Sequence, residues 1–450
     1  MTLTRTAEGE PAAFAPVDFG AFVRERGAAG TPVMQPRMGM SDPAVMRSGL
    51  AATKQAAAAT VGTITLDSYT RVGNLAAVTD ALRQGIALNG YPIVSYPERQ
   101  TAEVLAGLRG RDFPVQVRHG SAVPQAIFAA LIRLRLNATE GGPVSYCLPY
   151  GRTPLAESVR NWEESVRRYA ALREQGVEPH LETFGGCMMG QMCPPSQLVA
   201  LSVLEALFFH HHGVRSLSVS YAQQTNHEQD VEAVWALRRL CAELLPTENW
   251  HVVVYAYMGV YPTTVTGSYR LLGLAAELAA RTGSERVIVK TVAESARIPT
   301  VAENVAALEY AAEAADLVGT GTPVPPGGDS QTYLEARALV EAVLELDPDP
   351  GRALLQAFRR GLLDVPYCLH PDNQGRASSY LDDQGRLCWA ELGALPLRHL
   401  VRPTGARKVT SSGLLADLSY VRRKFDEECT VLPGRHALPP EQRRAIVSSR

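Results

Sequence analysis

The chain has 450 residues, 46% of them hydrophobic and 20% charged, which is enough apolar material for one large domain with an appendage. A net charge of −2 and a pI near 6.6 exclude a basic nucleic-acid-binding surface or a polybasic membrane-binding face. The opening MTLTRTAEGEPAAFAP lacks the apolar core of a signal peptide, and no run reaches transmembrane length.

Residues 1–30 read as an N-terminal arm, rich in Ala, Gly and Pro, with one short helix near Phe19–Arg26. From residue 31 a pattern repeats: a short β-type run, a loop, and an Ala/Leu-rich amphipathic segment. The β-type runs are TPVMQP, GTITLDSY, YPIVSY, FPVQV, PVSYCL, EPHLETF, SLSVSY, HVVVYAY and RVIVK. Helical stretches such as ESVRNWEESVRRYAAL and HEQDVEAVWALRRLCAELL separate most of them, and Asn89-Gly90 stops one helix before YPIVSY. Strands alternating with helices predict a parallel sheet, here a TIM-type (β/α)8 barrel over 31–345, with one of the nine runs surplus. No GxGxxG follows the first run, which speaks against a dinucleotide-binding sheet. LDPDPGR (346–352) breaks the helical pattern, and 346–450 forms a smaller C-terminal region, irregular with many turn signals beyond 360.

The residue types at the strand ends carry the functional reading. In a (β/α)8 barrel chemistry sits at the carboxyl ends of the strands. These ends deliver Arg37; Asp67, Tyr69 and Arg71; Arg118 and His119; Glu140, ahead of the run bearing Tyr146, with Tyr150 following; Glu182 and Phe184; Tyr255, Tyr257 and Met258; and Lys290 with Glu294 one turn on. Only four lysines occur, Lys54, Lys290, Lys408 and Lys424, so arginine is background in this chain and position has to argue for each one. Guanidinium groups grip carboxylate or phosphate in a planar, two-pronged way, and three of them at one mouth call for an anion. With no phosphate-binding glycine loop in the chain, carboxylates are favoured. Three arginines, one glutamate able to face an ammonium, and two tyrosines suit an amino dicarboxylic acid such as glutamate or aspartate.

Other signals point to ordinary structure. Seven cysteines without a CxxC fit a reduced, cytoplasmic protein. His210–His212 end a helix before Gly213, where the helix dipole attracts histidine, and no metal site is expected. CMMGQMC (187–193) reads as loop lining rather than as a soft-metal site. His119 is read either as catalytic or as a residue that orients its loop.

The same stretches carry a family likeness. QPR (35–37), LDSYTR (66–71), LNGYP (88–92), RHG (118–120), EGGPVSYCLPY (140–150) and KTVAESARIPT (290–300) resemble the large (epsilon) subunit of glutamate mutase, also called methylaspartate mutase, over roughly residues 31–390. FGG at 184–186, PPS at 194–196 and MG at 258–259 follow in order. The resemblance implies an adenosylcobalamin-dependent isomerase that rearranges L-glutamate to (2S,3S)-3-methylaspartate by a radical route. It implies that Arg37, Arg71 and Arg118 hold the substrate carboxylates, that Glu140 takes the amino group and assists as base, and that Tyr146 and Tyr150 complete the cage. It places Asn89, Phe184, Met258, Lys290 and Glu294 on the cofactor side. It further implies a small cobalamin-binding subunit whose DxHxxG histidine ligates the cobalt, with a dimer of this chain in a heterotetramer. No DxHxxG occurs here. Tyr255 stands where the family carries a histidine, and the tail PGRHALPPEQRRAIVSSR does not match. Two alternatives stay open: a mutase of the same family acting on another amino acid, and a non-catalytic scaffold for a cobalamin-carrying protein.

Overall fold

A computed structural model of the chain describes residues 17–185, 192–319, 323, 325, 327–402 and 410–428. Eight strands are parallel and follow one another around a barrel: β1 (Val33–Gln35), β2 (Gly62–Thr65), β3 (Val115–Arg118), β4 (Ala138–Gly141), β5 (His180–Thr183), β6 (Ser216–Ala222), β7 (Trp250–Tyr255) and β8 (Arg286–Ile288). β8 pairs back with β1. The remaining seam between β1 and β2 is closed by Met34 N donating to Ala59 O at 2.8 Å and Val61 N donating to Met34 O at 3.4 Å. This is the predicted (β/α)8 barrel, with helices such as Pro195–His211 and Val265–Thr282 wrapped around it.

The nine runs need two corrections. YPIVSY is the surplus one: Tyr91 N donates to Thr65 O, and the chain then turns rather than continuing a ladder. PVSYCL is not a strand either. It is a buried loop, and the strand is the preceding ATEG, so Glu140 lies within β4 rather than ahead of a strand. ATEG carries no apolar alternation because it faces a polar barrel interior.

That interior departs from the branched aliphatic layers usual in such barrels. Gln35, Thr63, Gln116, Glu182, Ser218 and Arg286 are all buried within it. Gln35 Nε2 donates to Gln116 Oε1 (2.7 Å) and Thr63 Oγ1 (2.8 Å), and Gln116 Nε2 donates to Glu182 Oε2 (3.0 Å). Arg286 pairs with Glu182 and donates to Gln35 and Ser218. A fully buried ion pair is costly unless its other donors and acceptors are satisfied, and this network satisfies most of them, leaving Arg286 Nε without a partner among the described residues.

The helix of the N-terminal arm, Phe19–Ala28, packs against the barrel. Phe19 lies with its ring 5.0 Å beneath Arg286 and 5.0 Å from the His180 ring, plugging the amino-terminal end of the barrel. At the other end of the chain, helices Gln331–Leu344 and Pro350–Arg360 flank the LDPDPGR break, with Asp349 capping the second. An antiparallel hairpin, β9 (Ala377–Leu381) and β10 (Leu387–Leu392), follows. Helix Tyr420–Glu428 is fastened to the barrel mouth: Asp426 accepts from the amides and hydroxyls of Thr263 and Thr264, and Phe425 packs with Tyr257 and Tyr261. Residues 187–191 of CMMGQMC and the tail PGRHALPPEQRRAIVSSR lie outside the described residues.

Candidate active site

Each mouth residue is set by its own local structure. Arg118 is the last residue of β3 and only 4% exposed. Arg71 ends the single turn Ser68–Arg71. Asp67 caps this turn by accepting from Tyr69 N (3.0 Å) and Thr70 N (2.9 Å), and Asn89 Oδ1 accepts from Ser68 N at 2.9 Å. Asn89 is therefore exposed at the rim and tied to the turn that presents Arg71. Tyr146 and Tyr150 stand on the loop after β4. Gly141 makes that loop possible: its φ of +132° is closed to L side chains, and a Cβ would lie 2.4 Å from Trp162.

Six of the candidates converge. Arg118 Nη2 pairs with Glu140 Oε2 at 2.7 Å, and Tyr146 donates to Glu140 Oε1. The Arg118 guanidinium lies 4.9 Å from the Tyr255 ring centre and 5.9 Å from that of Phe184, and Phe184 and Tyr146 are 4.8 Å apart. Arg71 sits 5.2 Å over the Tyr150 ring, which meets Tyr146 edge-on at 5.6 Å. Beyond Tyr150 the flank opens into a cavity of about 520 Å³ bordered by Arg152, Met192, Tyr367 and His370.

Arg37, Lys290 and Glu294 form a second group. Glu294 Oε1 accepts from Arg37 Nη1 at 2.7 Å and from Lys290 Nζ at 2.9 Å. Burial raises the Glu294 carboxyl, but the two cations overcome it and hold the group at about 2. Lys290 lies 5.2 Å over the Tyr261 ring, and Met258 is half-buried on the loop after β7. Arg37 is thus engaged by Glu294 rather than by Glu140.

Five buried guanidinium nitrogens have no hydrogen-bond acceptor among the described residues, and two of them, Arg118 Nη1 and Arg71 Nε, lie at the mouth. Burying an unpaired charged donor is costly, so both positions suit an anionic ligand. Glu140 is lifted to about 7, chiefly by burial and further by the negative charge of Glu182, while Arg118 pulls the other way. His119 is boxed in by rings, stacked on Trp162 at 5.7 Å and edge-on to Tyr146 at 5.2 Å. Burial and the adjacent Arg118 lower it to about 3, and its Nδ1 accepts from Ser121 N at 3.2 Å. That is a neutral ring holding its loop.

Three contributors escaped the strand-end reading as functional residues. Tyr255 and Glu182 lie at strand ends, but their roles appear only in three dimensions: the Tyr255 hydroxyl reaches both Glu140 and Glu182. Glu205 lies mid-helix in Pro195–His211. It accepts from Val144 N (2.9 Å), Ser145 N (2.9 Å) and Ser145 Oγ (2.8 Å), pinning the loop that carries Tyr146. The one sequence signal for Glu205 is a single carboxylate in an otherwise apolar helix. Among the described residues no cluster of three or more His, Cys, Asp or Glu could hold a metal ion. His211 instead faces Asp349 at 3.6 Å.

Fold and mouth together define a (β/α)8 barrel whose carboxyl end is lined by guanidinium, carboxylate and phenol groups. The family model of the methylaspartate mutase E chain matches residues 16–417, and the chain belongs to that family. Glutamate mutase epsilon subunits are similar over most of the chain: that of Halobacterium salinarum is 31% identical over 82% of this chain and 80% of its own, and that of Haloarcula marismortui 31% over 84% and 79%. The Escherichia coli O157:H7 protein is 30% identical over 74% of this chain and 72% of its own.

Proposed function

We propose that this chain is the large, catalytic subunit of an adenosylcobalamin-dependent mutase interconverting L-glutamate and (2S,3S)-3-methylaspartate. The observation that carries the reading is Arg118: a buried guanidinium with one nitrogen on Glu140 and another without an acceptor, enclosed by aromatic faces. Arg118 and Arg71 grip the two carboxylates of an amino diacid, and Arg37 swings to the ligand from Glu294. Glu140 already accepts from Arg118 and Tyr146, and a lone pair left free on its carboxylate meets the ammonium. Its elevated pKa suits it to take and return a proton near neutrality.

The mouth suits the cofactor in two respects. Glu294 has one oxygen engaged by cations and the other available to hydroxyl groups of the adenosyl moiety, with Lys290 beside it. The rim exposes Tyr69, Val72, Val260 and Ile298, an apolar border fitting a flat macrocycle and the protein that presents it. Phe184 and Met258 face that side. Adenosylcobalamin, when bound, supplies a carbon radical by homolysis of its cobalt–carbon bond. The chain's own residues hold the fragments of the substrate and keep water out through the packed rings of Tyr146, Phe184 and Tyr255. With no DxHxxG in the chain, the cobalt ligand comes from a small partner subunit.

The test is reconstitution. The purified chain, a matched DxHxxG-bearing subunit and adenosylcobalamin should form methylaspartate from glutamate and co-elute as a coloured complex larger than either protein. No product from glutamate with a partner that is active in another pairing overturns the reading.

A further inference from the structure

Tyr255 closes β7 and is completely buried. Its hydroxyl lies within hydrogen-bonding reach of two carboxylates, Glu140 Oε2 at 3.0 Å and Glu182 Oε1. A phenol has one proton, so it donates to one of them and can only accept from the other. The surroundings decide which. Glu182 is paired with Arg286 and also accepts from Gln116 Nε2 (3.0 Å) and Ser218 Oγ (3.1 Å). Despite its burial, Arg286 and then Arg118 keep Glu182 below the usual carboxylate range. Glu140 faces Arg118 from β3, Tyr146 from the loop after β4, Glu182 from β5 and Tyr255 from β7, and only the first of these is a cation. The carboxylate that stays ionised accepts the phenol proton, and the one that takes up a proton donates to the phenol oxygen.

We propose that Tyr255 is a positioning residue which donates to Glu182 and offers its oxygen to a proton on Glu140, making Glu140–Tyr255–Glu182 a chain that stores one proton. When Glu140 is protonated, Oε2–H points at the Tyr255 oxygen, and the Tyr255 hydrogen stays on Glu182. Taking a proton from a substrate ammonium breaks one N–H bond, leaves the electron pair on nitrogen and makes the Oε2–H bond, while Tyr255 keeps its own proton. Glu182 and Arg286, deep in the barrel, thereby set the basicity of a residue at the mouth. The source of the proton rests on the amino-acid reading above, but the proton chain is a property of this polypeptide alone.

The experiment is an infrared titration of the isolated full chain, following the protonated carboxyl stretch. Glu205 and Asp230 are also buried carboxyls, raised to about 7 and about 8, so the Glu140 band is taken as the part missing in Glu140→Gln. In the unsubstituted chain its midpoint should fall at about 7. Tyr255→Phe keeps the ring and removes the acceptor, so the protonated form loses its partner and the midpoint should drop by about one pH unit, a tenfold change in the protonation constant. An unchanged or raised midpoint overturns the proposal, because it means that Tyr255 donates to Glu140. If Tyr255→Phe lacks the circular dichroism of the unsubstituted chain, Tyr255→Met, which also removes the hydroxyl, carries the test: its midpoint should also fall, and a rise or no change overturns the proposal. In the reconstituted complex the acid limb of the kcat/KM profile should move by the same amount. A shifted band without any turnover of glutamate removes the amino-acid reading and leaves the proton chain standing; turnover with an unshifted band does the reverse.

Discussion

Gly120 and Arg71 cannot both keep their places if residue 120 gains a side chain: a Cβ there would lie 2.6 Å from Arg71 Cδ. The glycine after Arg118-His119 is thus clearance for an arginine arriving from the neighbouring strand, β2. Gly120→Ala should push the flexible Arg71 arm aside at a cost of less than about 1 kcal/mol in stability. Its signature should be functional, with KM for the amino diacid rising by about three- to tenfold and the melting temperature nearly unchanged. Equal KM values in a steady-state assay would show that Arg71 does not touch the substrate.

Arg118→Lys tests the geometry of the grip rather than its charge. Lysine keeps the cation but has no planar fork to span Glu140 and a ligand carboxylate together. kcat/KM should fall by at least about tenfold, or about 1.4 kcal/mol. Arg167→Lys is the control, since Arg167 is 60% exposed and pairs with Glu163 on its own helix. Equal effects of the two substitutions would remove Arg118 from the substrate site.

Glu294 links the mouth to acid stability. Its carboxyl is held at about 2 in the folded chain against an ordinary value of 4.5. The stabilisation this brings is present above about pH 4.5 and is lost as the pH falls toward about 2, amounting to about 2–3 kcal/mol at most. Glu294→Gln should therefore lower the denaturant midpoint at pH 7 and flatten its decline between pH 5 and 3, which urea titrations at stepped pH will resolve.

Glu205 behaves in the opposite sense. Burial raises it to about 7, so the folded chain binds its proton more tightly than the unfolded chain does. Its contribution is full below about pH 4.5 and declines as the pH rises through about 7. Glu205→Gln keeps an oxygen for the Val144 and Ser145 amides and should reduce that slope at little cost. Glu205→Ala leaves both amides buried without an acceptor and should cost about 2–4 kcal/mol. It should also release the loop carrying Tyr146, read as greater hydrogen exchange at 143–148.

The barrel was legible because its signals are local. Seven of the nine β-type runs contain a strand, each short and followed by a helix. The two failures share one cause. Hydrophobic alternation reports burial on one face, and here two connecting segments, 91–93 and 143–148, are buried while a strand is polar. PVSYCL is apolar because it packs under the mouth with its amides on Glu205, and ATEG is polar because the barrel interior is.

The same division runs through the candidate site. Strand-end position is enough to nominate Arg118 and Phe184, since a parallel barrel sends every strand end to one mouth; Glu140 and Tyr146 are found through the PVSYCL run, which is a loop and not a strand. Strand-end position could not tell that Arg37 rests on Glu294, 257 residues away and met only by closure of the barrel, or that Asn89 holds the turn bearing Arg71, a contact across 21 residues made by the fold of the connection between β2 and β3. Nor could it show that Arg286 and Glu182, 104 residues apart, lie behind Glu140. Sequence determined which chemical groups reach the mouth. Only the tertiary structure decided their charge states, because these depend on burial and on neighbours from other strands.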